Sequence, residues 1–179
     1  MSCSVSRQEA ERWVEDPIEM HYEAQRLIEE LSMQPHPEGG YFCEAYRSPI
    51  SVETPRGKRL AITSIYYLLA DSMLSAFHRL ASDEIWHHYR GSPVAIEIIE
   101  PEGGYRQELI GGSDRRQAAV GAGAWFAAHL ADLNGYAFLG CDVGPGFEYK
   151  DFEIGSRKEL TAKFPQHRVL IDRWALLQD

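Results

Sequence analysis

From Tyr41 to Ile154 the chain breaks into short β-rich segments at intervals of roughly ten residues, each bounded by Gly, Pro, Asp or Ser. The segments are Tyr41–Arg47, Ala61–Leu69, Ser75–Leu80, Glu84–Tyr89, Val94–Glu100, Tyr105–Ile110, Gln117–Val120, Ala124–Ala128, Tyr136–Asp142 and Asp151–Ile154. Many strands at that spacing point to an all-β sandwich or barrel and not to β-α-β units. Helical pattern is confined to the ends. Between Ile18 and Met33 the residues Tyr22, Leu27, Ile28 and Leu31 mark an apolar stripe among Glu and Gln, ended by Pro35 and Pro37. Gly155–Phe164 reads as a short helix before Pro165, and Val169–Trp174 as a last strand or turn-helix. Residues 1–17 are charged and carry no apolar period, so they are expected to form a flexible extension to a single domain over 18–179. The acidic-aromatic run Phe147–Glu153 alternates as a strand would, with Phe147, Tyr149 and Asp151 on one side.

Composition removes several classes of function. The 179 residues include 18 Lys and Arg against 27 Asp and Glu, a net charge of −9, with no basic cluster beyond Arg115–Arg116. Nucleic acid is therefore not an expected partner. No apolar run approaches the roughly 18–20 residues of a membrane span, and the polar start lacks an apolar leader, so a cytoplasmic protein without a membrane partner is expected. Cys3, Cys43 and Cys141 are widely spaced and read as free thiols. Cys141 reads as a buried small hydrophobe, and His21, His129 and His167 as structural.

The run from Ala76 to Gly91 carries the chemistry. A strand ending near His78, a short connection through Ser82 and Asp83, and a strand beginning at Glu84 would bring an imidazole and a carboxylate together on neighbouring strands. Such a pair can bind a metal or shuttle a proton; the plainer alternative is a satisfied polar pair at a barrel mouth. Trp86 shares the parity of Glu84 and, with Trp125, can wall a pocket for a small ligand. Arg47 has the planar fork that holds a carboxylate or phosphate. Tyr66 and Tyr149 are candidate proton donors. Of His87 and His88, parity alone favours His88 as the pocket-facing ring, but Glu84 and His88 sit roughly 13 Å apart along a strand, and the choice between the two stays open. Pro35-His36-Pro37-Glu38 reads as a rigid entry to the first strand.

These residues resemble the cupin superfamily. The first cupin motif is matched in spacing by His78, Glu84 and Gly91, with Leu80 at its second histidine; the second is similar to Gly121-Ala-Gly123-Ala-Trp-Phe126, with Phe126 at its histidine. A closer resemblance is to an uncharacterised cupin family known as a domain of unknown function. It rests on Pro35 to Phe42, Tyr46-Arg47-Ser48, Ile62 to Leu69, Ser82 to His87, Arg90 to Pro93, Trp125 to Ala128, Gly140-Cys141, Pro145 to Phe147 and Asp151 to Glu153, over roughly Leu31 to Trp174. The resemblance implies a double-stranded β-helix, or jelly roll, usually a homodimer and akin in architecture to sugar-nucleotide 3,5-epimerases. It implies no particular reaction. Two of its three imidazole ligand positions are Leu80 and Phe126, so His78 and Glu84 are what remain of a metal set, and no cofactor is assured.

Three readings follow. The first is an isomerase or epimerase-like enzyme acting on a small polar or anionic metabolite, with His78 as base, Glu84 orienting it and Arg47 steadying the ligand. The second is a non-catalytic module that binds or senses a small ligand. The third is a metal-dependent dioxygenase or lyase with a reduced ligand set completed by water, His87 or His88.

Overall fold

The computed structural model describes residues 20–112, 114–132 and 135–176. The expected extension over 1–17 and Cys3 lie outside the described residues. The first element is helix α1 (Tyr22–Glu30), whose amino end is capped by His21 through Nδ1 and the Glu23 N–H. The strands follow as β1 (Gln34–Pro35), β2 (Tyr41–Arg47), β3 (Ser51–Thr54), β4 (Gly57–Leu60), β5 (Thr63–Ala70), β6 (Leu74–Leu80), β7 (Asp83–Gly91), β8 (Val94–Ile99), β9 (Tyr105–Ile110), β10 (Gln117–Val120), β11 (Trp125–Leu130), β12 (Tyr136–Gly144) and β13 (Phe152–Ile154). Helices α2 (Arg157–Lys163) and α3 (Arg168–Trp174) close the described chain.

The strands form a six-stranded sheet ordered β1-β2-β5-β12-β7-β10 and a five-stranded sheet ordered β13-β6-β11-β8-β9, with β3-β4 as a separate hairpin. All the pairings are antiparallel. This is the all-β jelly roll that the strand spacing and the resemblance led us to expect. Alternation along each strand assigns the side chains to layers. Leu69, Trp86, Ile96, Ile98, Phe126 and Leu139 meet between the two sheets. Their neighbours in sequence face the opposite way: Leu68 and Ala70 pack under Ala24 and Leu27 of α1, while Phe77, Ile99 and Trp125 pack under Leu160, Phe164 and Ile171 of α2 and the α3 region. Each sheet is thus apolar on both faces where a helix covers it, which is why strands such as β8 are buried along their whole length.

Two local expectations are corrected, and a third is resolved between its alternatives. His78 and Glu84 do not lie on neighbouring strands, because β6 and β7 belong to different sheets and face each other across the sandwich. The Phe147–Glu153 alternation does not make one strand: Tyr149–Asp151 is a short 3-10 turn, and only Phe152–Ile154 pairs with β6. Val169–Trp174, read as a last strand or a turn-helix, is helical. The β3-β4 hairpin went unforeseen because most of its positions face solvent and carry no apolar alternation. It is held down by Arg56 and Arg59, both of which reach the Asp151 carboxylate. No described helix is long and apolar enough to cross a membrane.

Candidate functional site

The site begins with a turn. Between β1 and β2 the chain reverses through Gly39 and Gly40, both with positive φ (114° and 68°). A side chain at Gly39 would overlap the Leu74 carbonyl oxygen, and one at Gly40 would stand 2.7 Å from the Leu68 oxygen. Two glycines therefore let the turn lie directly against β5 and β6, and the Ala76 N–H donates to the Glu38 carbonyl at 2.9 Å to hold it there. The result is that Glu38 enters the sandwich. The residue is 5% exposed, and its Oε1 accepts a hydrogen bond from Ser75 Oγ at 2.7 Å.

Glu38 Oε2 lies 3.2 Å from Nε2 of His78. The other ring nitrogen, Nδ1, is 2.8 Å from the Ala76 carbonyl, which can only accept, so Nδ1 carries a proton. Two bare lone pairs at 3.2 Å would repel, so one proton is shared between Glu38 Oε2 and His78 Nε2. Burial pushes the Glu38 carboxyl up, opposed by His36 and Ser75, and pulls the His78 imidazole down to about 4. Both shifts favour the uncharged arrangement, with the proton on Glu38. His36 Nδ1 stands 3.4 Å from the same Oε2, and its own pKa is lowered, chiefly by burial.

Around this pair is a cavity of about 90 Å³ whose wall includes Phe42, Ile65, Tyr67, Phe147 and Phe152. Tyr67 is buried, donates to the Gly39 carbonyl at 2.6 Å, and its phenol is held well above its usual pKa, chiefly by burial, with the nearby Glu38 adding to the shift. Glu84 lines the same cavity and is 6% exposed. Burial and the nearby Glu38 push its carboxyl up to about 8, against the Trp86 indole and Cys141 thiol, which oppose the shift. Oε2 of Glu84 has no hydrogen-bond partner among the described residues, and neither has Nε1 of Trp86. A buried carboxyl oxygen without a partner is costly and marks a place where a ligand can bond.

The other residues singled out in the sequence divide by face. Arg47 reaches the cavity wall, but half its side chain is exposed and its Nε and Nη2 bond Glu44 at 2.9 and 2.6 Å. Trp86 points inward yet lies in the core against Tyr67 and Phe126, not on the cavity surface. Trp125 faces outward under Leu160, with the Arg79 guanidinium 4.8 Å above its ring. The cavity is accordingly lined by phenyl and phenol rings and not by indoles. Tyr66 also faces outward, against Tyr89 and Phe138, and Tyr149 is exposed. His87 sits on the outer face, 3.0 Å from Asp142 and 2.8 Å from Gln117. His88 is turned inward as parity requires, but it bonds the Ser92 carbonyl at 2.9 Å and does not reach the cavity. Cys141 is buried and borders the cavity.

Glu38, His36, Ser75 and Tyr67 were not among the sequence candidates. The available signal was a charged residue immediately before a double glycine, in a chain whose next strand must cross the start of β6.

The residues present do not fit a cupin metal centre. Leu80 is an apolar part of the wall, and the Phe126 ring lies 4.0 Å from the His78 ring, centroid to centroid, where a second imidazole would stand. Nε2 of His78 is turned to Glu38. Neither His87 nor His88 reaches Glu84 to complete a set, and among the described residues no three His, Cys, Asp or Glu groups converge to hold an ion.

Comparison with known proteins agrees with the architecture. An uncharacterised protein of Saccharomyces cerevisiae is 30% identical over 146 residues, spanning 71% of this chain and 72% of its own. A hypothetical protein from Leishmania major of known structure is 36% identical with a TM-score of 0.78, over 85% of this chain and 98% of that one. The oxalate decarboxylase of Lactobacillus farciminis shares the fold, with 15% identity and a TM-score of 0.51 over 82% of this chain and 42% of that one. Residues 25–155 match the family described as "Cupin superfamily (DUF985)", and the chain belongs to that family.

Proposed function

We propose that the cavity is the active site of a small-molecule isomerase, in which the Glu38–His78 pair moves a proton between two positions of a polar ligand. The observation that carries the reading is the 3.2 Å approach of Glu38 to Nε2 while Nδ1 is committed to the Ala76 carbonyl. A histidine with free rotation could be filler; this one has its tautomer fixed and its reactive nitrogen on a second proton carrier.

The chemistry balances within the pair. As a Glu38 oxygen takes a proton from a carbon beside a carbonyl, the proton already shared moves onto His78 Nε2. The C–H electron pair becomes an enolate, and the imidazolium compensates its charge. Return of the proton to the opposite face or to a neighbouring atom completes an epimerisation or tautomerisation. Phe42, Phe147 and Phe152 give the site an apolar wall that keeps bulk water from competing for the proton.

The test is solvent exchange. Incubated with a small-metabolite extract in D2O, the wild-type protein should place deuterium on carbon in a discrete set of compounds, read by mass spectrometry. Glu38→Gln and His78→Asn should slow that uptake by about 10²–10⁴-fold. A ligand that binds without any carbon-bound deuterium uptake would overturn the catalytic reading in favour of a sensing module. Activity lost to a chelator and restored by a divalent metal would overturn the metal-free mechanism.

A further inference from the structure

The charges on the cavity wall are matched, one against another, with a single exception. Arg47 is the lining cation, and both its Nε and Nη2 are bonded to Glu44. Glu38 shares its proton with His78. Glu84 remains, buried, with Oε2 unpartnered. An anion entering this cavity would meet three carboxyl groups and no free positive charge. A cation would meet a carboxyl with one unpartnered oxygen and four lining aromatic residues, Phe42, Tyr67, Phe147 and Phe152, a ring type that attracts positive charge.

We infer that the ligand of this site is a small organic cation, an amine or amidine, whose charged N–H groups bond Glu84 while its apolar part lies against the phenyl wall. The inference rests on the reading that this cavity is the ligand site, and it replaces the anionic metabolite expected from the sequence. An amine or amidine suits Glu84 because a charged N–H donor would give the unpartnered Oε2 a charge-assisted hydrogen bond. The charges facing Glu84 point the same way. Glu38 comes from the β1-β2 turn and Asp142 from the outer face of β12; both are acidic groups that act to raise its pKa, so no neighbour of Glu84 competes with an incoming cation. Tyr67 of β5, His78 of β6, Trp86 of its own strand and Cys141 of β12 contribute no resident positive charge, and Val120 opposite it on β10 is apolar. Glu84, whose carboxyl titrates at about 8, must release its proton when the cation binds.

Three probes of one shape separate the alternatives: propionamidinium, propionamide and propionate carry positive, zero and negative charge on the same five-heavy-atom frame. Calorimetry and NMR should show propionamidinium binding to the wild-type protein with proton release. Its affinity should rise about tenfold per pH unit from 6 to 7 and level off above about 8. Glu84→Gln should weaken it at least tenfold at pH 8 and flatten the pH profile, with thermal unfolding confirming that the variant folds. Propionate bound as tightly as propionamidinium, a flat wild-type profile, or an unchanged Glu84→Gln affinity would each overturn the inference. If propionamide or propionate shifts the Tyr67 and His78 signals while propionamidinium does not, the charge class is wrong and the cavity remains the ligand site. If none of the three shifts any signal from the lining residues, both fall.

Discussion

Two Glu–His pairs of similar length stand on opposite faces of the five-stranded sheet, and they differ in what surrounds the carboxylate. On the inner side Glu38 meets His78 at 3.2 Å; on the outer side Glu97 meets His129 at 3.0 Å. In each pair the other ring nitrogen faces a backbone carbonyl, that of Ala76 or of Leu130. Glu97 also accepts from Tyr105 at 2.7 Å and Gln107 at 2.8 Å, and His129 stacks on Trp174 at 3.9 Å. These donors from His129, Tyr105 and Gln107 outweigh burial and bring the Glu97 carboxyl below its usual pKa. Glu38 accepts from the Ser75 hydroxyl, shares a proton with His78, and is raised by burial. The same two residue types therefore give a settled structural hydrogen bond in one place and an unsettled proton carrier in the other. The number of donors around the carboxylate decides which.

The sharpest way to break this contrast is proton transfer. Glu38→Gln should lower solvent exchange about 10²–10⁴-fold, whereas Glu97→Gln should leave it unchanged. Equal losses would mean that the inner pair, too, is only structural.

The next effect is on stability and its pH trend. Glu84 has a folded pKa of about 8, above its ordinary 4.5. The folded state thus holds a proton that the unfolded chain loses between those values. Its favourable contribution is full below pH 4.5 and drains away as the pH rises to about 8. Glu84→Gln should match the wild type in urea unfolding near pH 4.5 and exceed it by about 5 kcal/mol above pH 8. Glu97 has the opposite sign: its depressed pKa contributes stability above 4.5 that is lost as the pH falls through its folded value. Glu97→Gln should cost about 1–3 kcal/mol near pH 7 and less in acid. Parallel pH trends for the two variants would contradict the comparison.

The smallest effect belongs to Arg47. Its ion pair with Glu44 is half exposed, so Arg47→Ala should change stability by less than about 1 kcal/mol. It should leave the selectivity among the three probes intact, because that guanidinium is already bonded to Glu44.

The residues show where the sequence was legible. All the strands from β5 to β12 were readable because alternation and turn residues are local signals. Parity also put His78 and Glu84 on inner faces, and the cavity does contain both. Parity misled in the Phe147–Glu153 run, where a 3-10 turn interrupts the alternation, and where the reference strand was borrowed from a motif: Trp125 was assigned to the pocket, yet Phe126 takes the inward position and packs tilted against His78. Tyr66 and Tyr67 show the same limit, since adjacent residues take opposite faces and only the covering helix decides which is the core side.

By itself the sequence determined the strand order along the chain, the alternating faces, the absence of two histidines from the cupin metal positions, and the glycine pair that permits a tight reversal before β2. Those follow from interactions a few residues long. The partner of His78 was decided by tertiary structure alone. Glu38 lies forty residues away on a turn and reaches the imidazole only because Gly39 and Gly40 let that turn rest on β6. No local pattern encodes that meeting: the distance between two groups on different sheets is set by how the sheets stack, and the same stacking removes the water and donors that would otherwise hold both carboxyls at their ordinary pKa.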